Sequence, residues 1–244
     1  MIGLGLPPEA RGRPGMAPPV TPTDPFPAAQ LAAGGNYHHF AAEDAGETWA
    51  SRHGGALTLL RRGTPTTISV GGLPMLDCTS GAYEVVRDSG LPAEAPFTLW
   101  VLCEPNTLSG RALYNGPPVY DTSAAALAFR PHVASALSGG SALSHTLRSS
   151  DPVRSYEWSR LGAGSLSAVI RCYENGQALS ATNSSTALTD ASGTVFVVGG
   201  YRNSGGTLSY AKLRVSDVVL TQGWVLDGTQ RAALDSYRQA RLGI

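Results

Sequence analysis

The sequence has almost no lysine and no net charge. Its 18 basic residues are all arginine except Lys212, and 18 acidic residues balance them. A neutral chain has no bulk electrostatic draw on nucleic acid or acidic substrates. The arginines are scattered, which fits a GC-rich coding sequence better than a phosphate-binding surface, so no nucleic-acid partner is expected. Cysteine is scarce too. Cys78, Cys103 and Cys172 lie in apolar, strand-like surroundings without Cys-x-x-Cys spacing. They read as buried reduced thiols, not as a disulfide framework or zinc site, and fit folding in a cytoplasm. No run approaches the ~18 apolar residues of a membrane helix, so no membrane insertion is expected. The opening MIGLGLPPEARGRPGMAPP lacks the continuous apolar stretch of a secretory signal. Helical periodicity is nearly absent, and no repeat of fixed period is visible.

What the sequence does hold is a train of short strand candidates separated by Gly, Pro, Asn and Ser. They are Ala56–Leu60, Thr66–Val70, Tyr83–Arg87, Phe97–Cys103, Ala125–Arg130, Ser155–Trp158, Leu166–Tyr173, Gln177–Ala181, Val195–Gly199 and Thr207–Leu220. Many short strands between turns argue for an all-β sandwich. In FTLWVLC, Phe97, Leu99, Val101 and Cys103 alternate with Thr98, Trp100 and Leu102. Both sides are largely apolar, as in a central strand covered on two faces.

IRCYENGQALSA (Ile170–Ala181) reads as a hairpin closed by Asn175-Gly176, the pair that tolerates a type I′ turn. That register sets Glu174 opposite Gln177, Cys172 opposite Leu179 and Ile170 opposite Ala181. Ile170, Cys172, Leu179 and Ala181 then share the core face, with Arg171, Tyr173 and Ser180 on the other.

Residues 1–30, including PPVTPTDPFP, are Pro-rich and polar, and are expected to form an extended arm, either a tail or an anchor that orders on a partner. Residues 31–244 would form the sandwich and a helix over 229–241. Asp227 or Thr229 can cap that helix, Ala233, Leu234, Tyr237 and Ala240 give its apolar stripe, and Gly243 can stop it. The expected role is structural, covering an edge or open end of the sandwich. Trp49, Trp100 and Trp158 read as core, and Trp224 as a wedge beside the helix.

The last third, with YENGQALSA, TVFVVGGYRNSGG, YAKLRVSDVVLTQG and TQRAALDSYRQARLGI, resembles the LamG-like, concanavalin A-like lectin/glucanase domain. PFTLWVLCEP resembles that family's early central strand, and Thr48–Cys78 its opening, so the likeness spans roughly residues 48–244. It implies a concanavalin A-like jelly-roll sandwich of two antiparallel sheets. For function it is open, because such domains include lectins, hydrolases and structural modules. A single such domain behind a Pro-rich arm, with this Tyr-x-x-Ala-Arg helical ending, also resembles surface proteins of tailed bacteriophages.

Hydrolases of this superfamily carry Glu-x-Asp-x-x-Glu on one strand, whose period of two aims the acids into one cleft. The motif is absent here. AEDAGE (Ala42–Glu47) has the residue types in another order, and Glu84, Glu104, Glu157 and Glu174 stand alone. No G-x-S-x-G elbow accompanies His38, His39, His53, His132 or His145, which sit in loop-like surroundings and read as surface or packing residues. The chain is therefore expected not to be an enzyme.

Sugar recognition needs an aromatic platform and planar polar groups. Two loops carry both. LYNGPPVYD offers Tyr114, Asn115, Tyr120 and Asp121, and GGYRNSGG offers Tyr201, Arg202 and Asn203. Ordinary turn chemistry is the plainer reading of each. Ca2+ is the one metal considered, through Asp121, Asp151 and Asp190, although no ligand spacing can be read.

These observations lead to a non-enzymatic virion surface protein, head or tail decoration or fibre. Its arm would attach to other virion proteins, and its lectin-like domain to host polysaccharide. It would be made in the host cytoplasm. A purely structural capsid or tail component and a glycan-cleaving enzyme are the rival readings. A homo-oligomer stays open, since no heptad or interface patch demands one.

Overall fold

The computed structural model describes residues 25–26, 37–53, 57–91, 96–105, 113–116, 127–130, 135–138, 141–146, 149–162, 166–182, 193–202 and 206–244. Most of the expected arm, 1–24 and 27–30, lies outside the described residues. The first strands are β1 (Tyr37–Ala41), β2 (Thr48–Ala50), β3 (Thr58–Gly63), β4 (Thr66–Val70), β5 (Leu73–Asp77) and β6 (Gly81–Leu91). Then come β7 (Phe97–Pro105), β8 (Leu113–Gly116), β9 (Leu127–Arg130), β10 (Ser135–Ser138), β11 (Ser141–Leu143) and β12 (Arg154–Arg160). The last are β13 (Ile170–Glu174), β14 (Gln177–Ala178), β15 (Gly193–Val198), β16 (Gly200–Arg202), β17 (Leu208–Tyr210) and β18 (Leu213–Thr221), followed by helix α1 (Gly228–Leu242).

Two antiparallel sheets form the expected sandwich. The first runs β14-β13-β12-β7-β18-β5-β4, and the second β11-β10-β9-β8-β15-β6-β3-β2. β16 and β17 pair separately. In the first sheet β18 has β7 along one edge, while β5 and β1 share the other. Arg214 and Val215 pair with β5, and Asp217–Thr221 with β1. The register shifts between Val215 and Asp217, a bulge at the point where one neighbour gives way to the next.

Strand β7 explains the layering. Phe97, Leu99, Val101 and Cys103 join Phe129, Trp158, Phe196 and Val198 between the sheets. Trp100 and Leu102 point the other way, into a second apolar layer with Leu73, Met75, Val219, Leu226, Leu234 and Tyr237. The helix therefore covers the outer face of the first sheet, not the edge or open end expected from sequence. Its stripe needs a broad apolar floor, and β5, β7 and β18 supply one. Each fully buried aliphatic side chain in such a layer contributes about 1.5–3 kcal/mol. Phe26, from the segment expected to be arm, is buried in the same layer with its ring edge-on to Tyr37 at 5.0 Å.

The helix ends follow the sequence. Asp227 Oδ1 accepts from the Gln230 amide at 2.8 Å and Gln230 Oε1 from the Asp227 amide at 2.9 Å, a reciprocal capping box. Gly243 closes the helix in the left-handed region at φ 69°. The 170–181 hairpin also forms, with Glu174 opposite Gln177 and Asn175 and Gly176 at φ 49° and 76°. Ile170, Cys172 and Leu179 are buried as expected, but Ala181 is exposed and bridges to His145.

Two strand expectations are corrected. Leu166–Val169 is a single helical turn leading into β13, and 207–220 breaks at Ala211-Lys212 into β17 and β18. His38 and His39, expected in a loop, lie buried in β1.

Under the helix, His39 belongs to a buried polar cluster. Asp217 Oδ1 meets His39 Nε2 at 3.0 Å, while its Oδ2 accepts from Ser216 Oγ at 2.6 Å and Arg241 Nε at 3.1 Å. Burial alone would push the Asp217 carboxyl up, but His39, Arg241 and Ser216 outweigh it and hold it below its ordinary value.

Candidate functional site

The two segments singled out for sugar contact do come together. β16 lies against β8 over the second sheet, and Tyr114 and Glu84 flank Val197 in one cross-strand row. Asn115 is paired with Phe196 in the next row. Tyr120, Asp121 and Asn203 lie outside the described residues. In the β16–β17 hairpin Tyr201 pairs with Ser209 and is half-buried. Gly200 allows the two strands to close, since a Cβ there would clash with the Ser209 carbonyl.

Arg202 acts as a clamp. Its Nη2 donates to both oxygens of Glu84, at 2.7 and 2.8 Å, its Nε to Oε2 at 3.1 Å, and its Nη1 to the Gly206 carbonyl at 2.6 Å. Arg62 Nε adds a bond of 2.7 Å to Glu84, whose side chain is 1% exposed. A buried carboxylate is tolerable only when compensated this way. Arg202 thus pins the hairpin to the sheet, with the half-buried Tyr201 beside it.

A second arrangement, which the sequence did not reveal, lies on the opposite side of the molecule. The outer face of the first sheet continues past the helix along the row Val219–Trp100–Glu157–Tyr173–Ala178. Glu157, buried, takes both Arg231 Nε and Nη2 at 2.8 Å, and Arg231 also donates to the Leu226 carbonyl at 3.1 Å. Burial would lower the Arg231 pKa, yet the Glu157 bonds raise it, so the guanidinium stays charged. The same guanidinium sits over the Tyr173 ring, 3.8 Å from its centroid. Beyond it opens a cleft of about 410 Å³ lined by Tyr173, Gly176, Gln177, Ala178, Gly228, Arg231, Ala232 and Asp235. The only sequence signal was the placement of Tyr173 on the non-core face. Its partner Arg231 is 58 positions away and on another element.

The other acids are occupied individually. Glu174 is bound by Arg154, Tyr156 and the Ser149 amide, and Glu104 by Arg214. Among the described residues no three His, Cys, Asp or Glu side chains converge as a metal site. Of the carboxylates considered for Ca2+, Asp151 accepts from Ser149 Oγ, and Asp121 and Asp190 lie outside the described residues.

No family model and no curated protein matches the sequence. Solved structures do resemble the fold. Trypanosoma rangeli sialidase in its complex with 2,3-difluorosialic acid is 16% identical at a TM-score of 0.56, over 92% of this chain and 36% of that one. The chain spans about a third of the length of such sialidase chains. A mutant of HCR D/C VPI 5995 is 10% identical, TM-score 0.56, over 83% of this chain and 52% of that one. Domain 4 of AbnA, a GH43 extracellular arabinanase from Geobacillus stearothermophilus, solved with arabinotriose, is 11% identical, TM-score 0.56, over 82% of this chain and 98% of that domain. At these identities the likeness is one of architecture, a sandwich of two antiparallel β-sheets.

Proposed function

We propose that this chain is a non-catalytic carbohydrate-binding module. The observation that carries the reading is the match to AbnA domain 4, a structure solved with arabinotriose and matched over 98% of its length. Two features of the chain support it. Among the described residues, the buried acids Glu84, Glu157 and Glu174 are each paired with arginine inside the fold. The surface offers tyrosines beside planar polar groups on both sheets, at Tyr201 and at Tyr173.

The setting we infer is the surface of a tailed-bacteriophage virion. The N-terminal segment would attach to other virion proteins and the sandwich to host polysaccharide. Three buried, unpaired thiols accord with synthesis in a host cytoplasm. A glycan array probed with the purified chain tests binding, and should show a saturable signal on cell-surface polysaccharides. Silence across the array would end the reading. Removal of residues 1–24, which spares Phe26, should free the chain from particles while leaving it folded.

A further inference from the structure

We propose that the cleft between the β13–β14 hairpin and the first turns of α1 binds an uncharged sugar unit of a polysaccharide. This rests on the glycan-binding reading above and assigns it a place and a ligand class. The cleft's ~410 Å³ falls within the roughly 300–1,000 Å³ typical of small-molecule sites. Three of its lining groups make no hydrogen bond to the protein among the described residues: the Tyr173 hydroxyl, the Gln177 side-chain amide and Arg231 Nη1. They offer a phenol, an amide and a guanidinium to ring hydroxyls, each able to bond in a plane.

The polar wall is held in place before any ligand arrives. Glu157 fixes Arg231 from below by two bonds of 2.8 Å, and Arg231 in turn covers one face of the Tyr173 ring. Ordering costs on binding are correspondingly small. Asp235 on the opposite wall is oriented by Arg238 Nε and Gln239 Nε2, both at 2.8 Å. Gly176 brings the hairpin tip close to it, for a Cβ there would lie 3.4 Å from Asp235. Ala178, Ala232 and the half-buried Tyr173 ring supply apolar surface for a sugar's C–H groups.

Charge decides the class. Arg231 is matched by Glu157, and Asp235 by Arg238, so the cleft presents hydrogen-bonding groups without a surplus of either sign. A uronate or phosphorylated sugar would set its anion near the Asp235 carboxylate with no unspent cation to offset it. A neutral pyranose or furanose meets no such cost. The larger cleft at the other end of α1, about 510 Å³, is lined mainly by aliphatic and glycine residues such as Val70, Leu73, Val153 and Leu242, and suits a sugar less well.

The test is calorimetric titration of the full chain with xylotriose, arabinotriose and maltotriose as neutral probes and trigalacturonate as the charged one. The expected result is saturable binding of at least one neutral trimer and none of trigalacturonate. Ala232→Trp, which fills the cleft from an exposed position, should weaken that binding about tenfold or more, equivalent to about 1.4 kcal/mol, with an unchanged unfolding midpoint. Gln177→Ala should weaken it severalfold. Amide shifts on titration should centre on Gly176, Gln177, Gly228 and Ala232, a readout independent of any variant. Binding that survives Ala232→Trp and Gln177→Ala but is lost in Tyr201→Ala overturns the cleft and leaves the glycan-binding reading standing. Preference for trigalacturonate overturns the ligand class. A chain that binds no glycan, on the array or in titration, overturns both.

Discussion

Tyr237 Oη donates to Asp217 Oδ1 across 2.8 Å, tying the C-terminal helix to the bulged strand beneath it. The same carboxylate gathers His39, Ser216 and Arg241, so four side chains from β1, β18 and α1 depend on one charge. Asp217→Asn would strip the Arg241 guanidinium, 5% exposed, of its buried counter-ion and leave it the Glu43 carboxylate, which accepts from Nη1 and Nη2 at 2.9 Å. Breaking a buried pair from one side costs about 3–5 kcal/mol. Because Glu43 keeps part of the compensation, chemical denaturation should show a loss at the low end, about 3 kcal/mol, and about 1 kcal/mol for Tyr237→Phe. Equal, small losses would mean that the cluster is not a unit.

The same carboxylate sets an acid limit. Its folded pKa is lowered, as is that of Asp77, which accepts from the Thr79 amide and Arg214. A depressed carboxyl stabilises the fold fully above its unfolded value of about 3.9 and ceases to do so as pH falls through the folded value. Stability from these groups should be level above about pH 5 and decline below about pH 4. The acid slope should be shallower in Asp217→Asn. Parallel slopes in the two proteins would contradict the assignment.

Burial pushes all three thiols above their ordinary value, most simply at Cys78 and Cys103, which are wholly enclosed. A protonated, inaccessible thiol does not attack a disulfide reagent. Native protein at neutral pH should consume almost none of Ellman's reagent, whereas denatured protein should titrate all three cysteines. Rapid reaction of one thiol in the native state would place it at the surface.

Gly176 sits at φ 76°, where a side chain is strained, and its neighbour Asn175 accepts from the Ser155 amide at 2.9 Å. Gly176→Ala should cost about 1–2 kcal/mol, and Asn175→Gly about 1 kcal/mol through the lost bond. Urea midpoints would read both. A neutral Gly176→Ala would show that the turn relaxes to another type.

Arg202 was singled out as a sugar contact, yet Glu84 uses both of its forward-facing nitrogens. Arg202→Ala should therefore destabilise the fold by about 1.5–3 kcal/mol, with Arg62 retaining part of the compensation. Binding at that hairpin is better tested by Tyr201→Ala, which keeps the Arg202–Glu84 bonds.

The fold was legible where local pattern and long-range pairing agree. FTLWVLC announced a strand covered on both faces because Trp100 and Leu102 are as apolar as Leu99 and Val101, and both layers exist. The Asn175-Gly176 turn and the Asp227–Gly243 helix boundaries follow from backbone chemistry within a few residues, so they too could be read. β1 could not. A His-His pair looks like a loop, and only pairing with β18, some 180 positions later, buries it. The same holds for the helix, whose stripe was visible but whose floor is assembled from β5, β7 and β18. The sugar candidates were chosen as aromatic and polar residues near turns, a criterion that finds Tyr201 but cannot foresee that Glu84 would claim Arg202. It missed the Tyr173–Arg231 stack for the same reason, since nothing near Tyr173 in the chain signals an arginine over its ring.

The place of β18 has a consequence for biosynthesis. The last of the described strands stands at the centre of the first sheet, with β7 on one flank and both β5 and β1 on the other. A ribosome-bound nascent chain shorter than about residue 221 has a gap where that strand belongs, and its neighbours cannot pair across it. The domain must therefore close only after β18 has been made, and products terminated before it should be cleared by proteases instead of persisting as partial sandwiches.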